Sequence, residues 1–417
     1  MFETVQLLAG TSWLMLAFSV LIFDIPRYTL SLVSLALFSV LQRSDAAPIG
    51  GASVSVIIPT FNGGDGLNRT ILSLHGQTQR PIEIIVVDDG STDDTRAVAE
   101  RARALGLIDT VICHGTRCGR SAAINGAARF ASGDLIFTVD ADTVFEPTAI
   151  ARLAAVFDDP RVGGASCNIA ISNESDSLWT GLQSVEYLMS ISAGRSVLDV
   201  VGAIACLSGA CSMYRRAVFL RQGGLDVGPG EDLEFSLRLR RLGYLIRFVP
   251  DGWAETDGPK FGVSLLRQRA RWDRDALRIR FMMYGELRFI HRYERLPDTL
   301  QRLDFILFDL IPTLSLPFYL VYVVLLYGGD APLFFSAIYI LLVWISFFNM
   351  ALAFAMFNRS LGPVGFAAAL IFPFYQGVYM KCARFFSYSS EIIFAASRHD
   401  DFVPPRVRRA LFQEAAR

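Results

Sequence analysis

The chain has 417 residues, 39 basic and 40 acidic, for a formal net charge of −1, so no global basic field draws it to nucleic acid. Its length excludes a mini-protein that needs staples to fold. Apolar residues make up 52% and Phe alone takes 32 positions, yet charged residues reach only 19% against about a quarter in soluble domains, so part of the chain is expected in lipid.

From Leu7 to Phe23 the chain is apolar apart from small hydroxyls, and after Asp24-Ile25-Pro26-Arg27 a second apolar run extends from Tyr28 to Leu41. The pattern predicts a hairpin of two membrane segments. A secretory signal is disfavoured because no Lys or Arg precedes the first run. The second run is shorter than the roughly 20 residues of a full span.

Between Ser53 and about Asp257 the texture is that of a water-soluble α/β domain. Strands are predicted at Val54 to Pro59, Glu83 to Val87 and Leu135 to Val139, with helices from Leu67 and from Thr92. Continuous Val and Ile runs alternating with helical patterns mark a mostly parallel sheet covered on both faces. Ligands of such sheets bind at the carboxyl ends of the strands, so the residues just after each strand matter most.

Beyond Arg302 three apolar stretches, Leu303 to Tyr327, Pro332 to Phe357 and Gly362 to Phe385, are long enough to span a membrane. Pro312 and Pro317 predict a kinked helix. Asn349 and Gln376 are candidates either for sugar contact in a pore or for joining helices. Arg43 and the group Arg292, Arg295 and Arg302 put the α/β region on the cytosolic side by charge bias, whereas the basic tail from Arg398 to Arg417 conflicts with a five-span count. The expected divisions are 1–45 (membrane segments), 50–260 (α/β domain), 261–300 (interfacial helices), 301–386 (membrane helices) and 387–417 (tail). Six scattered cysteines and four isolated histidines argue against a zinc or disulfide framework, so any metal is expected on oxygen ligands.

Four strings carry chemistry. Ser55-Val56-Ile57-Ile58-Pro59-Thr60-Phe61-Asn62 and Ile84-Ile85-Val86-Val87-Asp88-Asp89-Gly90-Ser91 each put a buried strand before a polar turn. Gly119-Arg120 is followed by Leu135-Ile136-Phe137-Thr138-Val139-Asp140-Ala141-Asp142, an Asp-x-Asp at a strand end. Paired carboxylates there suit a hard divalent cation, which would neutralise the charge of a departing diphosphate. Next come Ser208-Gly209-Ala210 and the pair Glu231-Asp232; a carboxylate of this kind can deprotonate an attacking hydroxyl. Last, Gln268-Arg269-Ala270-Arg271-Trp272 places Gln268, Arg271 and Trp272 on one helical face, joining a diphosphate-holding Arg to a Trp on which a sugar can stack.

In this order the strings resemble the GT-A fold of membrane family-2 glycosyltransferases, and QxxRW resembles processive synthases of the cellulose, chitin, hyaluronan and poly-N-acetylglucosamine type. The resemblance covers Ser53 to Trp272. It implies that Thr60, Phe61 and one of Asp88 or Asp89 hold the base, that Arg120 and Arg271 assist at the diphosphate, and that Asp140 and Asp142 bind Mg2+ or Mn2+. It further implies Asp232 as base beside Glu231, with Ser208, Gly209, Gln268 and Trp272 on the diphosphate and acceptor side. Three departures stand out: Gly63 replaces the usual acidic residue after the Asn, Arg120 replaces a Lys, and Asp273-Arg274-Asp275 is unusually charged.

The expected fold is a cytosolic α/β GT-A domain (Rossmann-like) plus an α-helical transmembrane region in the inner membrane. The expected function is inverting, processive transfer from UDP-glucose or UDP-N-acetylglucosamine to a β-linked glycan with export. Expected partners are the nucleotide-sugar donor, a glycan acceptor, membrane lipid and accessory export subunits, with no nucleic acid. The alternatives are single transfer to a polyprenyl phosphate or other lipid, and a channel with a degenerate nucleotide-binding domain.

Overall fold

A computed structural model describes residues 51–226, 228–285, 295–357 and 362–400, with short pieces at 29, 32–34 and 403–405. The expected N-terminal hairpin and most of the tail lie outside the described residues.

The α/β region holds one sheet of eight strands: β1 Val54–Thr60, β2 Glu83–Asp88, β3 Thr110–Cys113, β4 Leu135–Val139, β5 Val144–Phe145, β6 Val162–Ile171, β7 Cys211–Arg215 and β8 Leu245–Thr256. Their order is β3-β2-β1-β4-β7-β6-β8-β5. The β3-β2-β1-β4 half is parallel. Past β4 the sheet is mixed: β7 runs antiparallel to β4 and β6, β8 is parallel to β6, and β5 is antiparallel to β8. The sheet is therefore mostly parallel, as its Val and Ile runs imply, with antiparallel β7 inserted on the side where Ser208-Gly209-Ala210 leads into it.

Alternation along β1 distributes side chains to both faces. Val54, Val56 and Ile58 pack against α1 (Gly64–His75), α2 (Thr95–Ala104) and, further along the sheet, α4 (Ala149–Ala155), whereas Ile57 faces α3 (Arg120–Ala128) on the other side. Ile57 and Ile58 are fully buried, one on each face. Truncating either to Ala would cost about 2–5 kcal/mol. Helix α5 (Leu178–Tyr187), α6 (Arg195–Val200), α7 (Arg216–Arg221) and α8 (Glu231–Arg241) complete the region. Helix α1 begins three residues before the predicted Leu67, and α2 starts at Thr95 rather than Thr92. The second shift has a local cause: Thr92 N–H is held by the Asn62 side chain at 2.8 Å, and Asp93 accepts from Thr95 N at 3.0 Å in an Asx-type turn that precedes the helix.

Helix α9 (Gly262–Leu277) follows β8. After it, α10 (Leu296–Phe305), α11 (Ile311–Tyr327), α12 (Ala331–Phe357), α13 (Pro363–Phe374) and α14 (Met380–Phe394) form the apolar part. Two continuous helical stretches, Leu296–Phe357 and Pro363–Phe394, are long and apolar enough to cross a membrane by length and composition. Pro312 lies just past wide π turns at Ile306–Leu310, a geometry that makes room for a residue without an N–H. Asn349 is buried and Gln376 is exposed.

Candidate functional site

The carboxyl ends of β1, β2 and β4 and the entry to β7 lie together along one edge of the sheet, the candidate cleft, where α3 begins with Arg120. Its guanidinium donates to Asp140 Oδ1 at 3.0 and 3.2 Å, to Glu231 Oε1 at 2.8 Å and to the Gly209 carbonyl at 2.6 Å. Burial works against its charge, but Asp140, then Glu231 and Asp232, outweigh that and raise its pKa. Gly209 N–H donates in turn to Asp232 Oδ2 at 3.2 Å, while Leu233 N–H holds Oδ1 at 2.7 Å. Residues more than 100 positions apart thus share one hydrogen-bonded cluster.

Helix α8 delivers Glu231 and Asp232 from its first turn. Its cap, Gly230, has φ +75, and a Cβ there would lie 2.7 Å from Ile279 and 3.1 Å from Asp275, so only glycine fits both the backbone and the neighbour. Ser236 Oγ accepts from Leu207 N at 2.9 Å, tying the Ser208-Gly209-Ala210 turn to the same helix. Burial first raises the pKa of Glu231; Arg120 pulls it back and Asp232 adds to the rise. Glu231 is thereby engaged with Arg120, whereas Asp232 is bonded to backbone N–H groups.

Asp140 and Asp142 flank Ala141 directly after β4. The cleft walls first, and the charge of Asp140 second, raise the pKa of Asp142, although the residue itself opens to solvent; a hydroxyl bond from Thr256 at 3.3 Å opposes the rise. Two carboxylates that repel each other at a strand end, Asp140 joined to Arg120 and Asp142 bonded through hydroxyls alone, fit an oxygen-bound divalent cation.

At the other end of the cleft Thr60 pairs with Asp88 across β1 and β2, and both are buried. Thr60 Oγ1 has no hydrogen-bond partner among the described residues. Phe61 is 39% exposed, with the Arg117 guanidinium 4.3 Å above its ring. Asp88 accepts from Ser91 N at 3.0 Å. Asp89 accepts from His114 Nδ1 and Cys118 N at 2.8 Å each and from Gly119 N at 2.7 Å. The histidines and cysteines are less isolated than their spacing suggests: atoms of Asp89, His114 and Cys118 able to ligate a metal lie within 4.8 Å of one another.

Gln268, Arg271 and Trp272 stand on α9. Gln268 Oε1 is buried without a hydrogen-bond partner among the described residues, and Trp272 is 44% exposed. Burial lowers the pKa of Arg271, opposed by Asp275, then Asp400 and Glu231, so its charge lies within electrostatic reach of the Glu231 cluster. Two neighbours of this motif escape a reading of the motif alone. Arg269, at the variable position, stacks on Trp272, and Glu186 of α5 pairs with Arg269; only the charge at position 269 hinted at them. Arg117, over the Phe61 ring, was equally silent in sequence.

Residues 55–222 match the family described as Glycosyl transferase family 2. The chain is 30% identical over 283 residues to an N-acetylglucosaminyltransferase of Sinorhizobium fredii, covering 62% of this chain and 67% of that protein. The chain is a family 2 glycosyltransferase. This glycosyltransferase is also 33% identical over 252 residues to an N-acetylglucosaminyltransferase of Azorhizobium caulinodans, covering 57% of this chain and 62% of that relative, less than two thirds of its length. Among solved structures, the mannosyltransferase PcManGT of Pyrobaculum calidifontis, in complex with GDP-Man and Mn2+, overlays with a TM-score of 0.57 at 18% identity, covering 91% of this chain and 99% of that one. That likeness establishes the GT-A-like fold of the glycosyltransferase.

Proposed function

We propose that this glycosyltransferase moves N-acetylglucosamine from its UDP conjugate to a hydroxyl of a β-linked glycan, with inversion, at the membrane surface. The observation that carries this reading is the cluster in which Arg120 joins Asp140, Gly209 and Glu231 while Gly209 N–H holds Asp232. The activity of these relatives favours N-acetylglucosamine over glucose.

In this reading the base lies at the Thr60, Phe61 and Asp88 corner, and Asp140 and Asp142 would hold Mg2+ or Mn2+. Such a cation supplies charge neutralisation for the diphosphate as it leaves. Arg120 and Arg271 add positive charge at the same end. Ser208 and Gly209 form a floor of small residues on which an acceptor ring can approach the backbone. Asp232 then takes the proton of the attacking hydroxyl as the new bond forms opposite the departing UDP, which turns an α-linked donor into a β-linked product. Gln268 and Trp272 bind the acceptor. The apolar stretches Leu296–Phe357 and Pro363–Phe394 are taken as membrane helices of an inner-membrane enzyme with a cytosolic catalytic domain, and the reading of repeated addition with export is supported by the QxxRW resemblance of α9, which packs against α14.

The test uses purified protein in nanodiscs with a panel of UDP- and GDP-sugars. UDP release from UDP-N-acetylglucosamine, lost with EDTA and restored by Mn2+ or Mg2+, is expected; no release from any donor refutes the reading. Product length on a gel separates repeated from single addition. Asp232→Asn is expected to lower transfer by about 10²–10⁴-fold with UDP affinity kept, and normal turnover in that variant would remove the base assignment.

A further inference from the structure

Trp272 is the exposed aromatic of the acceptor side, and what holds its ring comes from three separate elements. The Arg269 guanidinium lies 4.4 Å from the centre of the Trp272 ring and 5.7 Å from that of Tyr187. Arg269 is 5% exposed, and a charge so placed needs a fixed counter-charge. Glu186, next to Tyr187 on α5, provides it at 3.0 Å. The same Glu186 oxygen accepts a hydrogen bond at 2.8 Å from the hydroxyl of Tyr375, which begins the π segment Tyr375–Tyr379 inside the apolar stretch after α13. Trp179 of α5 packs on Gly262 at the start of α9 and tilts against Tyr379 at 5.3 Å, so the three elements meet over two levels.

A planar cation held over an aromatic face constrains the angle of that ring, because its attraction depends on lying over the ring face. We infer that Glu186, Arg269 and Tyr375 form a positioning clamp that sets the angle of the Trp272 ring for the acceptor sugar and ties that angle to the apolar C-terminal helices. This inference rests on the acceptor role given to Trp272 above. The clamp touches neither Asp140, Asp232 nor the base corner. Its loss should therefore weaken the acceptor and leave the nucleotide alone. A shift of the helix carrying Tyr375 would move the Trp272 ring through Glu186, which gives the membrane part a direct hold on the growing end of the chain.

The experiment compares wild type with Arg269→Lys, Glu186→Gln and Tyr375→Phe in nanodiscs, using UDP-N-acetylglucosamine and a short β-linked N-acetylglucosamine oligomer. Arg269→Lys keeps the charge but loses the flat stacking face; it is expected to raise the acceptor KM at least five-fold, with kcat at saturating acceptor and UDP affinity each within two-fold. Tyr375→Phe removes a single hydroxyl, so it reports even where the other variants do not fold, and a two- to three-fold rise in the same constant is expected. A general loss of structure would instead lower kcat or UDP affinity. An unchanged acceptor KM in Tyr375→Phe and in whichever of the other two variants folds overturns the clamp while the proposed function stands. Wild type that releases no UDP from any donor overturns both.

Discussion

Asp88 and Asp89 are chemically identical neighbours at the end of β2, yet their surroundings divide them. Asp89 accepts three hydrogen bonds and so fastens the turn that carries Cys118 and Gly119 into α3, setting where Arg120 begins. Asp88 gives one oxygen to Ser91, and its second has no hydrogen bond among the described residues; it is the one of the pair with capacity for a ligand. Asp89→Asn should cost about 1–3 kcal/mol, since an amide cannot accept from the same donors without leaving one unmet, and a lowered melting temperature would register it. Asp88→Asn should instead weaken UDP roughly ten-fold with the melting temperature nearly unchanged, measured by calorimetry. Equal effects of the two variants on UDP would argue against this division. Sequence could not separate the two, because the donors that saturate Asp89 come from residues 25 to 30 positions later.

The Asp-x-Asp turn depends on a helix that does not belong to the motif. Helix α1 lies against it so closely that a Cβ on Gly66 would fall 2.8 Å from the Ala141 carbonyl and 3.0 Å from Asp142 Cα, while Thr70 Oγ1 donates to that carbonyl at 2.9 Å. Backbone does not yield to such an overlap as a flexible side chain would. Gly66→Ala is therefore expected to displace the turn and cut metal-dependent UDP release at least ten-fold, although alanine favours the helix itself by about 1 kcal/mol; activity at the wild-type level would show that the turn can give way. The same contact explains why the start of α1 was misread: Gly63, Gly64 and Gly66 look like loop residues by propensity, and the tertiary approach to Ala141 overrides that preference. By contrast β1, β2 and β4 were legible because strands buried on both faces are written as unbroken Val and Ile. The pattern directed attention to the residues at their ends, and the family resemblance gave those residues their expected roles. Antiparallel β7 was not legible, since Cys211-Ser212-Met213-Tyr214-Arg215 has no such run and its place is set by pairing with β4 and β6.

For the molecule as a whole, α9 is the seam between the catalytic domain and the apolar helices, and its odd charges are the stitches. Asp273 pairs with Arg384 of α14, which also binds Asp309 at 2.8 Å, and Arg274 pairs with Asp400 at 2.8 Å. Asp275 lies 3.9 Å from Arg278 and against Gly230. Such partners are invisible in the string Asp273-Arg274-Asp275, because they arrive from elsewhere in the fold. Burial pushes the carboxyl of Asp275 up to about 7 and that of Asp273 to about 6, against the pull of Arg278 on the first and Arg384 on the second.

A carboxyl whose folded pKa exceeds its unfolded one is favoured protonated, so its contribution is complete below the unfolded value near 4. It is lost as pH rises to the folded value. For Asp275 the window runs from about pH 4 to about pH 7, and above it the loss is constant. An amide mimics the protonated form at every pH. Asp275→Asn should therefore match wild type in melting temperature near pH 4, exceed it by several degrees at pH 8, and show a difference that grows between about pH 4 and about pH 7. A variant less stable than wild type at pH 8 would mean that the ionised carboxylate is held by Arg278 and Arg271 more firmly than burial penalises it. The seam would then be a salt link at working pH rather than a buried acid against the cap of the helix that carries Glu231 and Asp232.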